Sequence, residues 1–175
     1  IPGSALKGLT RSYALLSLAE QEGVANAAEE LKQFDAKLVQ GRHDEEPAAL
    51  YYRKAFGSQK EAGVCQFFDG VLMALNKESA IFELDVMTPH FVKYYSEKGK
   101  TAPHDADSPN PIPFVTVGAE HEWAFAIGLR HGNSDESAQK TRLQAKKWLR
   151  RALMEMGIGS KTSNGYGFFA PPPKS

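Results

Sequence analysis

"GIGSKTSNGYGFF", residues 157–169, puts four glycines, a Lys-Thr pair and three aromatic residues into thirteen positions. It directly follows "DESAQKTRLQAKKWLRRALMEM" (135–156), the clearest amphipathic helix of the chain. Three readings compete. A Walker A loop needs G-x-x-x-x-G-K-[ST] between a strand and a helix, so that helix-opening amides cradle phosphate. Lys161 and Thr162 fit, but the required glycines fall on Glu155 and Ser160 and the loop follows a helix. Nucleotide hydrolysis is therefore not expected. "NGYGFF" (164–169) matches the centre of the RNA-recognition pattern K/R-G-F/Y-G/A-F-V, whose aromatics stack bases on an open sheet, although Asn164 replaces the basic residue and Pro171 interrupts the strand. The third reading is a glycine hairpin with Tyr166 and Phe168 in the core. The last two stay open.

The helix before the loop carries an apolar stripe of Ala145, Leu149, Ala152, Leu153 and Met156. Lys140, Lys147 and Arg151 lie on a neighbouring face, with Arg142, Lys146 and Arg150 beyond. Between Arg130 and Lys161 there are eight basic residues against three acids, although the chain as a whole balances 21 Lys and Arg with 21 Asp and Glu. A neutral total can conceal a basic face. Amides, Ser160, Lys161, Thr162 and Ser163 can all meet one phosphate chain where glycines permit close approach.

Working back to the start, Ser4 reads as the N-cap of a helix over residues 5–21 that Gly23 stops. A second helix follows in "VANAAEELKQFDAKLVQ" (24–40), and Pro47 opens a short third one through Tyr51 and Tyr52. Then the period changes. "VCQFFDGVLMAL" (64–75) and "SAIFELDVM" (79–87) are β-rich, and in the second Phe82, Leu84 and Val86 alternate with Ile81, Glu83 and Asp85. "IPFVTV" (112–117) and "EWAFAIGLR" (122–130) predict a hairpin around "GAEH", and the closing aromatic segment predicts a last strand. Residues 96–111 form the only long polar stretch. These elements predict one α+β domain over 1–175, helices on one face of an antiparallel sheet.

Other chemistries are poorly represented. Cys65 is the only cysteine, within apolar "GVCQFFDGV", so an internal disulfide or multi-cysteine metal site is excluded. The five histidines, His43, His90, His104, His121 and His131, lack metal-ligand spacing, and "HDAD" (104–107) offers too few oxygen ligands for a hard cation. Asp69 and Asp85 are the best carboxylate pair for acid-base work. No metal and no cofactor is expected. No apolar run approaches the roughly 20 residues a membrane helix needs, and no leader peptide is readable at "IPGSALKG". A soluble, cytoplasmic chain is expected.

Three blocks together carry a resemblance: "IPGSALKGLTR" (1–11), "DVMTPHFVKYY" (85–95) with "PNPIPFVTV" (109–117), and "GIGSKTSNGYGFF". They resemble the signature of the RAMP superfamily of CRISPR proteins, and more narrowly the sixth-subunit family of the type III-B Cmr effector complex. The resemblance implies a ferredoxin-like (RRM-like) RAMP domain with helical and loop insertions. Family members carry a strand and loop before the first block, so that strand is expected to be missing here. It also implies a non-catalytic RNA-binding subunit of a ribonucleoprotein filament for antiviral defence, close to the 3′ part of the guide RNA. Its implied partners are guide RNA, target RNA, a repeating backbone subunit, a small helical subunit and a capping RAMP subunit. The implied RNA contacts are Ser4, Lys7, Arg11, Gly159, Ser160, Lys161, Thr162, Ser163 and Tyr166, and the basic helix adds Lys147 and Arg151. Lys7 and Arg11, four apart, share a helix face. The alternative is a RAMP endoribonuclease that processes or cleaves RNA. Metal-independent cleavage generally wants a base such as His near the 2′-hydroxyl, and no His occurs in residues 1–42.

Overall fold

In the computed structural model the described residues are 1–40, 47–75, 77–78, 80–88, 96–98, 100, 102 and 111–171. His43, His90, Pro89, the "HDAD" segment and most of the polar stretch 96–111 lie outside them. The chain divides into two compact units, Ile1–Val71 with Ala124–Ser175, and Leu72–Trp123.

Helical periodicity builds the first unit. Helix α1 (Gly3–Gln21) buries Leu6, Thr10, Tyr13, Ala14, Leu18 and Ala19, α2 (Ala28–Gln40) buries Phe34 and Leu38, and α3 (Pro47–Phe56) packs beside both. Helix α4 (Glu136–Glu155) turns the predicted stripe inward and adds Ala138, Thr141 and Trp148 to it. Asp135 caps α4 by accepting from the Ala138 amide at 2.7 Å. At the centre, Phe56 stacks between Phe67 and Trp148, each ring 6.1 Å away, and meets Tyr52 edge-on at 5.2 Å. Such pairs add to the burial of their area.

The start of α1 differs from the sequence reading. Pro2, not Ser4, is the N-cap residue, and no side chain of its own caps the helix. The cap comes from far along the chain: the Gly3 amide donates to Asp69 Oδ1 at 2.7 Å. Ile1 and Gly70 exchange backbone hydrogen bonds of 3.1 and 2.7 Å beside it. A side chain at Gly3 would place Cβ 2.3 Å from the Phe67 carbonyl oxygen, so only glycine lets α1 begin this close to β1 (Cys65–Phe67).

Among the described residues six strands form three two-stranded pairs nested in sequence: β1 with β6 (Ile127–Leu129), antiparallel, β2 (Val71–Ala74) with β5 (Glu122–Ala124), and β3 (Phe82–Met87) with β4 (Ile112–Val117), also antiparallel. The hairpin predicted between "IPFVTV" and "EWAFAIGLR" does not form, because β4 turns back on β3, with Phe82 opposite Val117 and Met87 opposite Ile112. In the first unit α1 and α4 pack on the β1–β6 pair, where Cys65 faces Leu129.

The second unit has a different balance. The alternation read in β3 is present, with Phe82, Leu84 and Val86 opposite Val117, Val115 and Pro113 on one face and Glu83 opposite Thr116 on the other. Yet Phe82, Leu84, Val86, Val115 and Val117 are all exposed, and no buried hydrophobic residue occurs among the described residues of 72–123. Cross-strand pairing, not a core, organises this ribbon.

Candidate nucleic-acid interface

The glycine loop is neither strand nor nucleotide loop. After α4, Gly157, Gly159, Gly165 and Gly167 all take positive φ (69°, 123°, 91° and 75°), and Thr162–Asn164 make one 3-10 turn. Left-handed backbone at four positions prevents the extended chain that a base-stacking strand requires. The predicted final strand is thus replaced by a closed loop. Its neck is a contact between two backbones: the Ile158 amide donates to the Gly167 carbonyl at 2.9 Å, and a Cβ on Gly167 would lie 2.1 Å from the Ile158 carbonyl oxygen. At the tip, nothing lies within 4 Å of a Cβ built on Gly159 or Gly165. Ser160 and Ser163 are exposed, and Lys161 and Thr162 are half-buried.

Apolar anchors fix this loop against α1. Leu6, Leu149 and Leu153 are buried together with Ile1, Phe125, Ile158 and Phe169 packed around them. Phe169 meets Phe125 edge-on at 5.1 Å, and its amide donates to the Leu153 carbonyl at 3.0 Å. Of the three aromatics, Phe169 is therefore the core anchor, a role the sequence reading did not give it. Tyr166 is half-buried, with its amide 3.3 Å from the Lys161 carbonyl, and Phe168 is exposed. The fold thus brings the first sequence block and the last into one place.

On α1, Ser4 and Gly8 are exposed and Lys7 and Arg11 are half-buried, in positions that share one side of the helix. Gly8 has no atom within 4 Å of where a Cβ would sit. Arg11 is held in place. Its Nη2 lies 2.8 and 2.7 Å from the two oxygens of Asp35 on α2, its guanidinium sits 5.7 Å from the Tyr52 ring centre, and the Tyr52 hydroxyl donates to Asp35 at 2.6 Å. Burial, then the bond to Asp35, raises the Tyr52 pKa. Neither Asp35 nor Tyr52 was singled out from the sequence, since their partner lies on another helix and no local spacing shows it.

The basic face of α4 is partly neutralised. Lys140 pairs with Glu136 at 2.7 Å and Arg151 with Glu155 at 2.9 Å, both one turn apart. Burial first, and then the Glu155 carboxylate, raises the Tyr13 pKa. Lys147 is exposed, like Lys146 and Arg150. Asp69, one of the two carboxylates considered for acid-base work, caps α1, while Asp85 accepts from the Val86 amide in the second unit. Among the described residues no group of three His, Cys, Asp or Glu can hold a metal ion, and no helix is long and apolar enough to cross a membrane.

A family model of the RAMP superfamily matches residues 1–170. The CRISPR system Cmr subunit Cmr6 of Pyrococcus furiosus is 32% identical over 204 aligned residues, which cover 95% of this chain and 56% of that protein. The chain thus spans about half the length of this relative. The crystal structure of Cmr6 from Pyrococcus furiosus superposes with a TM-score of 0.53 at 28% identity, covering 95% of this chain and 80% of that one. A chain of the type III-B Cmr-beta complex, solved by cryo-electron microscopy bound to cognate target RNA, shares the fold with a TM-score of 0.54 at 21% identity, covering 96% of this chain and 43% of its own. With the first and last blocks joined in one surface and the family match running through both, the chain belongs to the RAMP superfamily.

Proposed function

We propose that this chain is a non-catalytic, cytoplasmic RNA-binding subunit of a type III-B CRISPR (Cmr) effector ribonucleoprotein. It binds guide RNA near its 3′ part and helps assemble the filament that acts on target RNA in antiviral defence. The observation that carries this reading is that the start of α1 and the foot of the glycine loop share one buried cluster, while the loop's tip at Gly159 and Gly165 is open. Exposed backbone at Gly159 and Gly165, hydroxyls at Ser4, Ser160, Thr162 and Ser163, and charges at Lys7, Lys147 and Lys161 form a surface suited to a phosphodiester chain. Arg11 presents its guanidinium from a fixed position, Arg151 contributes at the rim, and Tyr166 with Phe168 offers rings to unstacked bases. The β1–β6 pair with α1 and α4 packed on it is the part of the fold that a ferredoxin-like RAMP core would retain. In the relatives' assembly, the neighbours would be the repeating backbone, small helical and capping RAMP subunits.

The test is a salt series of single-stranded RNA binding, followed by fluorescence anisotropy. Lys161→Ala weakens binding and lowers the slope of log K against log salt by about 0.7, the counterion released at one single-strand phosphate. Unchanged affinity and slope would remove the loop from the interface. The same purified chain, incubated with guide precursor or target duplex with and without Mg²⁺, is expected to leave both intact; cleavage products would favour the endoribonuclease reading instead.

A further inference from the structure

The sequence reading gave Phe68 no role, and packing accounts for only part of it. It follows β1, where Cys65 is buried and Phe67 packs into the core while Gln66 is exposed, so alternation turns Phe68 away from the helices. Its amide stays paired, donating to the Ala126 carbonyl at 3.1 Å, and the residue is 45% exposed.

The ring has a seat. Gly128 of β6 stands opposite Gln66, and a Cβ built on it would lie 2.9 Å from Cε2 and 3.5 Å from Cζ of Phe68. The ring therefore occupies the space that a side chain at 128 would take. Covering a strand glycine shields bare backbone, which explains the contact side of Phe68. It does not explain the remainder, which stacks on no other ring among the described residues and stays in solvent. A seated ring with a free surface is what base stacking uses, since every base offers a π-face. Position joins this ring to α1: a Cβ on Gly3 would lie 2.9 Å from the Phe68 carbonyl carbon. Phe68 thus borders the first turn of α1, which carries exposed Ser4 and, one turn on, half-buried Lys7. At the other end of the β1–β6 pair the exposed Arg130, whose amide donates to the Val64 carbonyl at 2.9 Å, adds a cation that suits a nucleic-acid backbone. Gln66, exposed beside the ring's seat, has both a donor and an acceptor for a base edge.

We propose that Phe68, seated on Gly128 with Gln66 beside it, is a stacking platform for one unpaired base of single-stranded RNA, on the face of the β1–β6 pair turned away from the helices. The platform rests on the RNA-binding reading and adds a base contact to the phosphate surface of α1 and the glycine loop.

Fluorescence anisotropy on the purified chain compares a single-stranded RNA oligomer with an abasic oligomer of the same length. Phe68→Leu weakens binding to the intact oligomer by about tenfold, the scale of one stacked base, with the salt slope unchanged because no phosphate contact is lost. On the abasic oligomer it binds as the wild type does, and Phe68→Tyr, which keeps a ring, binds both oligomers normally. In Phe68→Trp the new indole is quenched by the intact oligomer and not by the abasic one, after subtraction of the wild-type change. An equal loss on both oligomers marks Phe68 as structural and overturns the platform, as does wild-type affinity in Phe68→Leu. Where Phe68→Leu does not fold, an unquenched indole in Phe68→Trp overturns it alone. If Lys161→Ala loses RNA while Phe68→Leu keeps it, the RNA reading stands and the platform falls. If the wild type binds neither oligomer, both fall.

Discussion

Replacing Gly167 by alanine attacks the neck of the glycine loop. The added methyl would lie 2.1 Å from the carbonyl oxygen, 3.0 Å from the carbonyl carbon and 3.2 Å from the nitrogen of Ile158, all backbone atoms that cannot rotate away. At φ +75° alanine also carries the left-handed penalty, about 1–2 kcal/mol. Relieving the clash separates the two backbones and weakens the Ile158–Gly167 hydrogen bond, which adds about 1 kcal/mol. The expected loss is therefore roughly 2–3 kcal/mol. Gly165→Ala is the matched control: φ is +91°, but nothing lies within 4 Å of its Cβ, so only the conformational part of about 1–2 kcal/mol applies. Urea unfolding followed by the fluorescence of buried Trp148 reads the difference directly. At roughly 2–4 °C per kcal/mol for a chain of this size, melting temperatures should separate in the same order. Equal midpoints for the two variants, with equal slopes, would refute the view that close backbone contact rather than φ holds the neck shut.

Three further outcomes follow from the same geometry. Asp69→Ala removes the distant cap on α1 and costs about 1 kcal/mol in urea unfolding, whereas Asp69→Asn, which keeps an acceptor for the Gly3 amide, loses much less. Gly8→Ala, with open space around it, stabilises α1 by about 0.5–1 kcal/mol in the same assay yet weakens RNA binding if a backbone passes over that side, so separate stability and anisotropy measurements should move in opposite directions. Burial holds the Cys65 thiol protonated in the fold, with its pKa raised from 9.0 to about 11, so this contribution is fully present below pH 9 and is lost as pH rises through 11. A pH series of urea midpoints for Cys65→Ala should therefore fall less steeply than wild type between those values; parallel curves would contradict the assignment.

The helices were legible because their signals are local. The 3.6-residue stripes of α1, α2 and α4 appear in the chain as written, and Asp135 stands where a cap is expected. Strand pairing was not, because "IPFVTV" has an attractive neighbour in "EWAFAIGLR" while its real partner, β3, lies across a long polar stretch. In β3 the alternation was correct, but alternation alone cannot say whether an apolar face is covered, and Leu84 is 78% exposed. For the loop, glycine letters announce freedom without stating how it is used, and four left-handed φ values turned an expected strand into a closed turn. The meeting of the first and last blocks followed from the family resemblance. The groups that organise it, Asp35 under Arg11, Asp69 at the start of α1 and Phe169 beneath the loop, are joined to their partners only by folding.

The nesting of the strand pairs bears on how the chain acquires its structure. Met87 and Ile112 can meet after closing one moderate loop, but Cys65 reaches Leu129 only across everything enclosed between them. Long closures are entropically slow, and each inner pair that forms first shortens the next one. Zippering from β3–β4 outward would thus be the fastest route to β1–β6, with α1 and α4 docking on that last pair. On this route, a substitution that disfavours β3–β4 pairing delays folding of the whole chain while leaving the unfolding rate of the helical core nearly unchanged.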